Sequence, residues 1–338
     1  MKAFRIRQPG QSEVIDVRTP SPGPNEVLLR LGRVGFCGSD LSTFRGLNPL
    51  IDYPLIPGHE IGAIIEELGP DVPSRWQVGQ EVSVLPYTHC GGCSACHQGR
   101  INTCRDNRTL GIQRPGAMCE RTVVPHDKLL AGESLSLTDL ALVEPLTIGY
   151  HAVQRGRISS ADTVAVLGSG MIGLGVVAAA SSLGARVIAI DLDDGKLALA
   201  RECGAQELIN SNADSLHHRL QRLTGGRGPN VIVEAIGSPA TFQAAVEEVC
   251  FAGRVVYIGY VKAPVEYDSK LFVMKELDII GSRNALPNDF ENVIKMLVGS
   301  RVPVNKIVSR SVSIDAAGSV LQRWSDAPND FTKIHVVF

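Results

Sequence analysis

The first part of the chain alternates short apolar runs with turn-forming residues. Runs with the composition of β-strands, separated by proline and glycine, lie at residues 27–31, 63–68 and 81–85. Closely spaced short strands with turn residues between them are typical of all-β domains. This part therefore predicts a small β-barrel or sandwich rather than a layered α/β sheet.

From about residue 162 the pattern changes to nearly continuous apolar runs separated by helix-length segments. The runs lie at residues 164–167, 187–190, 231–233 and 254–258. Fully apolar strands that alternate with helices indicate a parallel sheet covered on both faces. Beyond residue 281, a helical pattern at 290–297 is followed by strand candidates that end at 333–338. The chain is therefore predicted to be an α/β protein of two domains.

Length and composition agree with two domains and exclude several classes of partner. The 338 residues exceed one ordinary core, at roughly 150 residues per domain. A net charge of −2 gives no reason to expect nucleic acid or a membrane surface as a partner. The apolar stretch 171–185 is too short to span a bilayer, and the N-terminus has no apolar run typical of a signal peptide. We therefore expect a cytoplasmic protein with reduced thiols.

The first fully apolar strand is joined to a helical segment by the glycine motif Gly168-Ser-Gly-Met-Ile-Gly173. G-x-G-x-x-G alone is weak evidence, but between a strand and a helix it has the context of a dinucleotide site. Gly168 would permit the tight turn, Gly170 would let a pyrophosphate approach the backbone, and Gly173 would allow close helix packing. Met171 and Ile172 would open the helix, whose N-terminal N–H groups bind phosphate. The alternative is a glycine-rich turn without a ligand.

An acid at the end of the next strand indicates which dinucleotide binds. Asp191 follows the motif at about the 20-residue distance at which a carboxylate contacts the ribose hydroxyls. The carboxylate would repel a 2′-phosphate, and the next residue, Leu192, offers no positive charge. The sequence therefore predicts NAD rather than NADP.

Four of the eight cysteines lie close together, with the spacing C-x2-C-x2-C-x7-C. They are Cys90, Cys93, Cys96 and Cys104. Four thiolates at this spacing can close a tetrahedral zinc site, which stabilises a loop and leaves no open position for chemistry. An iron–sulfur cluster is the alternative, but the ferredoxin run has a shorter last gap and a proline where this chain has Arg105. The spacing predicts a structural zinc.

Two further fragments combine cysteine, histidine and carboxylates. They are Gly-Phe-Cys37-Gly-Ser39-Asp40 and Gly-His59-Glu60. Cysteine and histidine in an open arrangement are ligands of catalytic zinc, with water or substrate in the remaining position. Taken singly, a cysteine is more often a small core residue and a histidine a satisfied polar group. Their combination with the dinucleotide motif and the cysteine loop favours a metal.

Over its full length the sequence resembles the zinc-containing medium-chain dehydrogenases. The resemblance rests on the order and spacing of the motifs above, together with Glu144-Pro-Leu. It implies a GroES-like, β-rich catalytic domain from residues 1–148 and 288–338, with a Rossmann NAD-binding domain at 149–287. It also implies two zinc ions per chain, a homodimer or homotetramer, and hydride transfer from an alcohol to NAD.

The resemblance leaves the third protein ligand of the catalytic zinc open. Where ethanol-oxidising members commonly have a second cysteine, this chain has Glu144, as in the polyol and sugar dehydrogenase branch. Cys37 and His59 would be joined by Glu60 or by Glu144. Carboxylate ligands make a harder site that suits hydroxyl-rich substrates. The segment Gly-Ser-Arg283-Asn is similar to 5-dehydrogenases of L-galactonate or L-gulonate, so we expect a polyol or a sugar acid as substrate.

Ser39 and Asp40 would assist the chemistry beside the metal. The resemblance implies that Ser39 accepts the proton of the substrate hydroxyl and that Asp40 orients His59 through its second ring nitrogen. Many relatives have a histidine five residues after the zinc cysteine as the proton exit, whereas this chain has Ser42. The path beyond Ser39 would then run through water or ribose hydroxyls.

Two other functions fit the same motifs. A simple alcohol or threonine dehydrogenase would share both cofactor sites, and a non-catalytic NAD-sensing protein would share the fold. The intact ligand set favours an enzyme, because a sensor has no physical need of it. The sequence thus predicts zinc- and NAD-dependent oxidation of a secondary alcohol to a ketone.

Overall fold

The computed structural model describes residues 1–132, 134–299 and 302–338, which form two units. The terminal unit comprises Met1–Glu144, Leu286–Val298 and Val304–Phe338. The central unit comprises Pro145–Ala285 and the described residues of Gly299–Pro303. The domain boundaries implied by the family resemblance remain a prediction.

Regular elements follow one another closely along the chain. The strands are β1 (Lys2–Gln8), β2 (Gln11–Asp16), β3 (Glu26–Phe36), β4 (Glu60–Leu68), β5 (Glu81–Val84), β6 (Arg121–Pro125), β7 (Leu129–Ala131), β8 (Thr163–Leu167), β9 (Arg186–Asp191), β10 (Glu207–Asn210), β11 (Val231–Glu234), β12 (Arg254–Tyr257), β13 (Asp278–Gly281), β14 (Val308–Ser313) and β15 (Lys333–Val337). The α-helices are α1 (Gly38–Phe44), α2 (Ser94–His97), α3 (Leu137–Arg155), α4 (Met171–Ser182), α5 (Asp194–Glu202), α6 (Leu216–Thr224), α7 (Pro239–Glu248), α8 (Lys270–Met274), α9 (Pro287–Gly299), α10 (Val304–Ile307) and α11 (Ala317–Asp326). None of the described helices is both long enough and apolar enough to cross a bilayer.

A seven-stranded sheet organises the terminal unit. Its order is β14-β15-β3-β4-β5-β7, with β6 also paired to β3. β14 and β15 run parallel, and the other pairs are antiparallel. The rings of Phe4 and Phe36 meet edge to face in its core, with centroids 5.8 Å apart. The runs expected at 27–31, 63–68 and 81–85 lie in β3, β4 and β5, so the predicted β-rich part is confirmed.

The central unit contains a six-stranded parallel sheet. Its order is β10-β9-β8-β11-β12-β13, and the apolar runs of the sequence form β8, β9, β11 and β12. Strand order reverses between β8 and β11, and in such doubly wound sheets a ligand binds at the carboxyl ends of the strands at that point. The predicted α/β class with a Rossmann-type sheet is confirmed.

Strand pairing in the terminal unit brings three distant segments together. β4 runs antiparallel to β3 with Glu60 opposite Gly35, and β15 runs antiparallel on the other side with His335 opposite Gly35. The end of β3, the start of β4 and the start of β15 are therefore neighbours. This corner of the sheet holds most of the predicted catalytic residues.

Candidate functional site

The glycine motif forms the turn between β8 and α4. Gly168 follows β8 with φ of +97°, Gly170 is the N-cap of α4, and the helix begins with Met171 and Ile172. A Cβ at Gly173 would lie 1.8 Å from the carbonyl oxygen of Gly168, so glycine is required for this close packing. No described atom lies within 4 Å of where a Cβ at Gly170 would be. The turn therefore has room for a pyrophosphate beside the N-terminal N–H groups of α4.

Asp191 ends β9 beside this turn. Its Oδ2 accepts a hydrogen bond from the backbone N–H of Ser169 at 2.7 Å. Its Oδ1 accepts from the backbone N–H groups of Leu192 and Asp193 at 2.8 and 3.2 Å. The carboxylate is thus fixed in place while it stays partly exposed. Its remaining lone pairs can accept from ribose hydroxyls, and its charge opposes a 2′-phosphate.

The sulfur atoms of the cysteine loop converge on one point. Cys93 Sγ lies 3.5 Å from Cys96 Sγ and 3.9 Å from Cys104 Sγ, and Cys104 Sγ lies 3.6 Å from Cys90 Sγ. Ligands about 2.3 Å from a tetrahedral zinc stand about 3.8 Å from one another. A disulfide would instead bring two sulfurs to about 2.05 Å. The loop therefore fits a four-thiolate zinc site, and all eight cysteines are free thiols.

Cys37 and His59 meet where β3 ends and β4 begins. Cys37 is the N-cap of α1, directly after β3, and His59 precedes Glu60, the first residue of β4. Ligand atoms of Cys37, His59 and Glu60 all lie within 4.8 Å of one another. His59 is 4% exposed, and its Nδ1 has no hydrogen-bond partner in the described residues. A buried ring nitrogen left without a partner beside a thiol and a carboxylate fits a metal ligand.

The charges around His59 also favour a cation. Burial lowers the pKa of His59, but the hydrogen bond to Cys37 and the charges of Cys37, Glu144 and Asp40 raise it well above its ordinary value. A site that attracts a proton to a fully buried imidazole has a negative potential. The same potential attracts a divalent cation.

Asp40 caps the helix that begins after Cys37. Its Oδ2 accepts a hydrogen bond from the backbone N–H of Cys37 at 2.8 Å, and its Oδ1 has no partner in the described chain. The structure describes no hydrogen bond from His59 to Asp40, and the orienting role of Asp40 stays a prediction. Asp40 is the third residue of α1, where a carboxylate reaches back to the N-cap. Asp40 thus fixes the backbone of Cys37.

Glu60 forms a buried ion pair with Lys333. Lys333 Nζ lies 2.6 Å from Oε1 and 2.7 Å from Oε2 of Glu60, and it donates to the carbonyl oxygen of Phe36 at 3.1 Å. Lys333 is 4% exposed and Glu60 is 0% exposed. Burial lowers the pKa of Lys333, but the charges of Glu60, Cys37 and Glu144 and the hydrogen bond to Glu60 together outweigh burial and raise that pKa above its ordinary value. Lys333 is therefore a buried cation beside the carboxylate of Glu60.

Glu144 is buried in α3 and has a neutral partner. Tyr87 donates a hydrogen bond from its hydroxyl to Glu144 Oε1 at 2.5 Å. The ring of Tyr87 packs edge to face on Phe290, with centroids 6.0 Å apart. Burial raises the pKa of Glu144, and the charge of His59 opposes that rise. Within the described residues Glu144 is thus held by one hydrogen bond, and it stays within the electrostatic reach of His59.

Sequence reasoning missed Tyr87 and Lys333. Lys333 is 273 residues from Glu60, and no local spacing connects them. The signal for Lys333 was a lysine and a histidine inside the otherwise apolar strand Lys-Ile-His-Val-Val. Charged residues are rarely buried without a partner, so the lysine needs one. Tyr87 had no comparable signal.

Comparison with known proteins agrees with this geometry. The GroES-like domain model of alcohol dehydrogenases matches residues 23–134, and the zinc-binding dehydrogenase model matches residues 172–299. A zinc-type alcohol dehydrogenase-like protein from Haemophilus influenzae is 33% identical over 341 residues, covering 100% of this chain and 99% of the relative. L-galactonate-5-dehydrogenase from Escherichia coli is 31% identical and covers 91% of each chain. The structure of an alcohol dehydrogenase from Escherichia coli CFT073 with NADH superposes with a TM-score of 0.92 at 30% identity, covering 100% of this chain and 99% of that one.

The fold, the glycine turn and the two clusters of metal-type ligands together define a dinucleotide-dependent oxidoreductase. The chain belongs to the zinc-type alcohol dehydrogenase family. The predicted family, fold class and enzyme class are confirmed, and zinc is part of the family's description.

Proposed function

We propose that the chain oxidises a secondary hydroxyl of a polyol or sugar acid to a ketone, with NAD as hydride acceptor. The observation that carries this proposal is the cluster of one thiol, one imidazole and one buried carboxylate at Cys37, His59 and Glu60. A second buried carboxylate, Glu144, lies within electrostatic reach of His59. Oxygen ligands in place of a second thiolate make a harder site, which suits hydroxyl-rich substrates. Similarity to an L-galactonate-5-dehydrogenase supports the same substrate class.

Each cofactor has a set of residues that would hold it. Cys37, His59 and a carboxylate of Glu60 or Glu144 would hold the catalytic zinc, and the four cysteines of the loop would hold the structural one. The glycine turn and Asp191 would hold NAD, so the terminal unit would be the catalytic domain and the central unit the NAD-binding domain. When bound, zinc supplies Lewis acidity that lowers the pKa of the substrate hydroxyl, and NAD supplies the hydride acceptor.

The chain's own residues manage the proton and exclude water. Ser39 Oγ is buried and has no partner in the described part of the chain, so it is free to accept the proton of the substrate hydroxyl. Asp40 holds the backbone of Cys37 so that the thiolate keeps its direction. His59, Glu60 and Glu144 are all nearly inaccessible to solvent, which strengthens every electrostatic interaction among them.

Substrate profiling tests this proposal directly. NADH formation by the zinc-replete protein is measured across polyols, sugar acids, simple alcohols and threonine, with NADP in place of NAD as a control. We expect the highest kcat/KM for a polyol or sugar acid and a lower value with NADP. Turnover restricted to simple alcohols or threonine would overturn the substrate class. NAD binding without turnover of any substrate would favour the sensor instead.

We propose further that the chain is a cytoplasmic homodimer or homotetramer. β13 is the edge strand of the central sheet, and Ile279 on it is 44% exposed. Val273 and Met274 of the preceding helix α8 are 83% and 62% exposed. An edge strand beside exposed apolar side chains is a surface that pairing with a second copy would cover. Light scattering coupled to size-exclusion chromatography tests this, and a monomeric mass would contradict it.

A further inference from the structure

We propose that Arg114 is a substrate-binding residue that holds an anionic group of the substrate, a carboxylate or a phosphate ester, in a groove of the terminal unit. This role rests on the proposed function. It narrows the substrate class from polyols in general to hydroxyl-bearing molecules that also carry a negative charge.

Two segments of the terminal unit border the groove, which has a volume of about 500 Å³. One segment lies within residues 50–55 and the other within residues 106–115. Its charged lining residues are Asp52, Asp106, Arg108 and Arg114. Asp106 already has a partner, since its Oδ1 lies 3.6 Å from Nε of Arg105. Charged and amide side chains along the groove suit a ligand that is rich in hydroxyl groups.

Arg114 is a half-buried cation for which the described residues provide no anion. Its Nε is buried and has no hydrogen-bond partner in the described chain, and its Nη2 donates to the carbonyl oxygen of Pro86 at 3.3 Å. Burial lowers the pKa of Arg114 below its ordinary value, and no described carboxylate opposes that shift. Buried charges are normally paired, because an unpaired one is strongly unfavourable. The anion that completes this pair therefore comes from a ligand.

The turn around Arg114 is held by its own hydrogen bonds. The backbone N–H of Gly111 donates to the carbonyl oxygen of Arg114 at 2.8 Å, and that of Thr109 donates to Oε1 of Gln113 at 2.9 Å. A guanidinium group has five N–H donors, and within the described residues Arg114 uses one of them. Its planar fork matches two oxygens of a carboxylate or a phosphate. Arg114 can therefore bind an anionic group through two parallel hydrogen bonds.

The segment that carries Arg114 packs on the chain that leads to His59. The backbone N–H of Ala117 donates to the carbonyl oxygen of Gly58 at 2.9 Å. A Cβ at Gly111 would stand 2.5 Å from the backbone nitrogen of Gly58, so the two segments are in close contact. Because His59 directly follows Gly58, the groove adjoins the segment that supplies a predicted zinc ligand.

A second contact connects Arg114 with the same part of the unit. The carbonyl oxygen that Arg114 contacts belongs to Pro86, and the next residue is Tyr87. The hydroxyl of Tyr87 donates to Glu144, the buried carboxylate within electrostatic reach of His59. Two chain segments thus lead from the groove to the predicted catalytic site. A substrate would place its reacting hydroxyl at that site and its anionic group at Arg114.

Matched sets of substrates test this role. With NAD as acceptor, kcat/KM is measured for hexonates, for hexitols of the same configuration and for the 1-phosphates of these hexitols. We expect the wild type to prefer one of the two anionic forms over the hexitol, and the preferred form identifies the anionic group. Because Arg114→Met removes hydrogen bonds to a charged group, the ratio of kcat/KM for that anion to kcat/KM for the hexitol should fall roughly 10–100-fold.

Two further variants make the outcome specific. Arg114→Lys keeps the charge but loses the fork, so its ratio should lie between those of the wild type and Arg114→Met. Arg121→Met removes an arginine of the same unit that is ion-paired with Glu66 at 2.9 Å, and it should keep the wild-type ratio. A wild type that prefers the hexitol would overturn the proposal, and so would an unchanged ratio in folded Arg114→Met. If Arg114→Met does not fold, Arg114→Lys decides: a lowered ratio supports the role and an unchanged one contradicts it.

Failure of the proposed function would look different. If the zinc-replete protein turned over neither the hexonates nor the hexitols nor their phosphates, the proposed substrate class would fail. Calorimetric titration of the NADH complex with the same hexonates and phosphates would then decide on the groove alone. Binding that is weakened in Arg114→Met and kept in Arg121→Met would support an anion site at Arg114. Absence of anion binding by the wild type would overturn it.

Discussion

The terminal unit contains two clusters of metal-type ligands that are built in opposite ways. The cysteine loop uses four identical donors from one short segment, and Cys90 is exposed while Cys93 and Cys96 are half-buried. The open site around Cys37 uses different donors from separate segments: Cys37 follows β3, and His59 and Glu60 stand at the start of β4. Its histidine and carboxylates are nearly inaccessible to solvent.

This difference follows from what each site has to do. Four thiolates satisfy a zinc ion completely, so the loop needs no support beyond its own chain. An open site keeps a position for substrate, and its charges must be balanced by the surrounding protein. Lys333 balances the charge of Glu60, and Tyr87 holds Glu144 by a hydrogen bond. Asp40 fixes the backbone of Cys37. None of these three residues is among the predicted metal ligands.

The largest effect is expected from Cys37→Ala. Loss of a thiolate ligand removes the metal that lowers the barrier by several kcal/mol, so kcat/KM should fall by at least about a thousandfold. The zinc content should fall by one equivalent, and NAD binding at the glycine turn should remain. Steady-state kinetics, zinc analysis and calorimetry with NAD measure the three quantities.

A matched cysteine shows whether the loss is specific. Cys203 is buried in the central unit, outside both clusters, and Cys203→Ala should retain activity and zinc. Persistent turnover in zinc-free Cys37→Ala would refute the proposed chemistry.

Cys104→Ala should affect stability rather than chemistry. Folding of the loop is coupled to its metal, and we expect a loss of about 3 kcal/mol, or roughly 6–12 °C in the unfolding midpoint. Activity at low temperature should fall far less than in Cys37→Ala. Calorimetric unfolding and zinc analysis check this, with Cys119→Ala as a buried-cysteine control in the same unit. An unchanged midpoint with one zinc lost would show that the loop needs no metal.

The cysteine loop and the open site also differ in how far the sequence predicts them. The zinc site of the cysteine loop could be predicted because its ligands are close in sequence. The dinucleotide turn could be predicted because the spacing of its glycines follows from backbone geometry. The pair Cys37 and His59 could be predicted only in combination with the other motifs, since β3 and β4 bring together residues that lie apart in the chain. The sequence signals that Lys333 needs a buried partner, but it does not identify Glu60, because their contact depends on the placement of the last strand beside β3. The role expected for Asp40 stays a prediction, since a local helix cap engages its Oδ2 and the structure describes no partner for its Oδ1.

Tyr87→Phe should have a smaller effect on the open site. It removes the hydrogen bond that orients Glu144 and leaves the ring packing on Phe290 intact. Loss of such a supporting contact costs about 10–100-fold in metal affinity or activity. Zinc affinity by competition with a chelator measures it, and Tyr257→Phe in the central unit is the control. Equal affinities would mean that Glu144 needs no orientation from Tyr87 or does not bind the metal.

The smallest effect concerns His335, which is buried beside Lys333 with no partner for either ring nitrogen in the described residues. Burial lowers the pKa of His335 to about 3, and the charges of Lys333 and Arg33 act in the same direction. The unfolded chain then takes up a proton below about pH 6.5 while the folded chain does not, so stability present above that pH is lost as the pH falls. Between pH 7.5 and 5.5 this proton uptake lowers the free energy of unfolding of the wild type by about 1.4 kcal/mol.

The variant His335→Leu lacks this group, so its free energy of unfolding in urea should fall by about 1.4 kcal/mol less than that of the wild type over the same interval. The control His217→Leu, at an exposed histidine, should follow the wild type. Parallel curves of unfolding free energy against pH for His335→Leu and wild type would show that the histidine finds a partner when it is protonated. The sheet beside the open site would then tolerate a second buried cation next to Lys333.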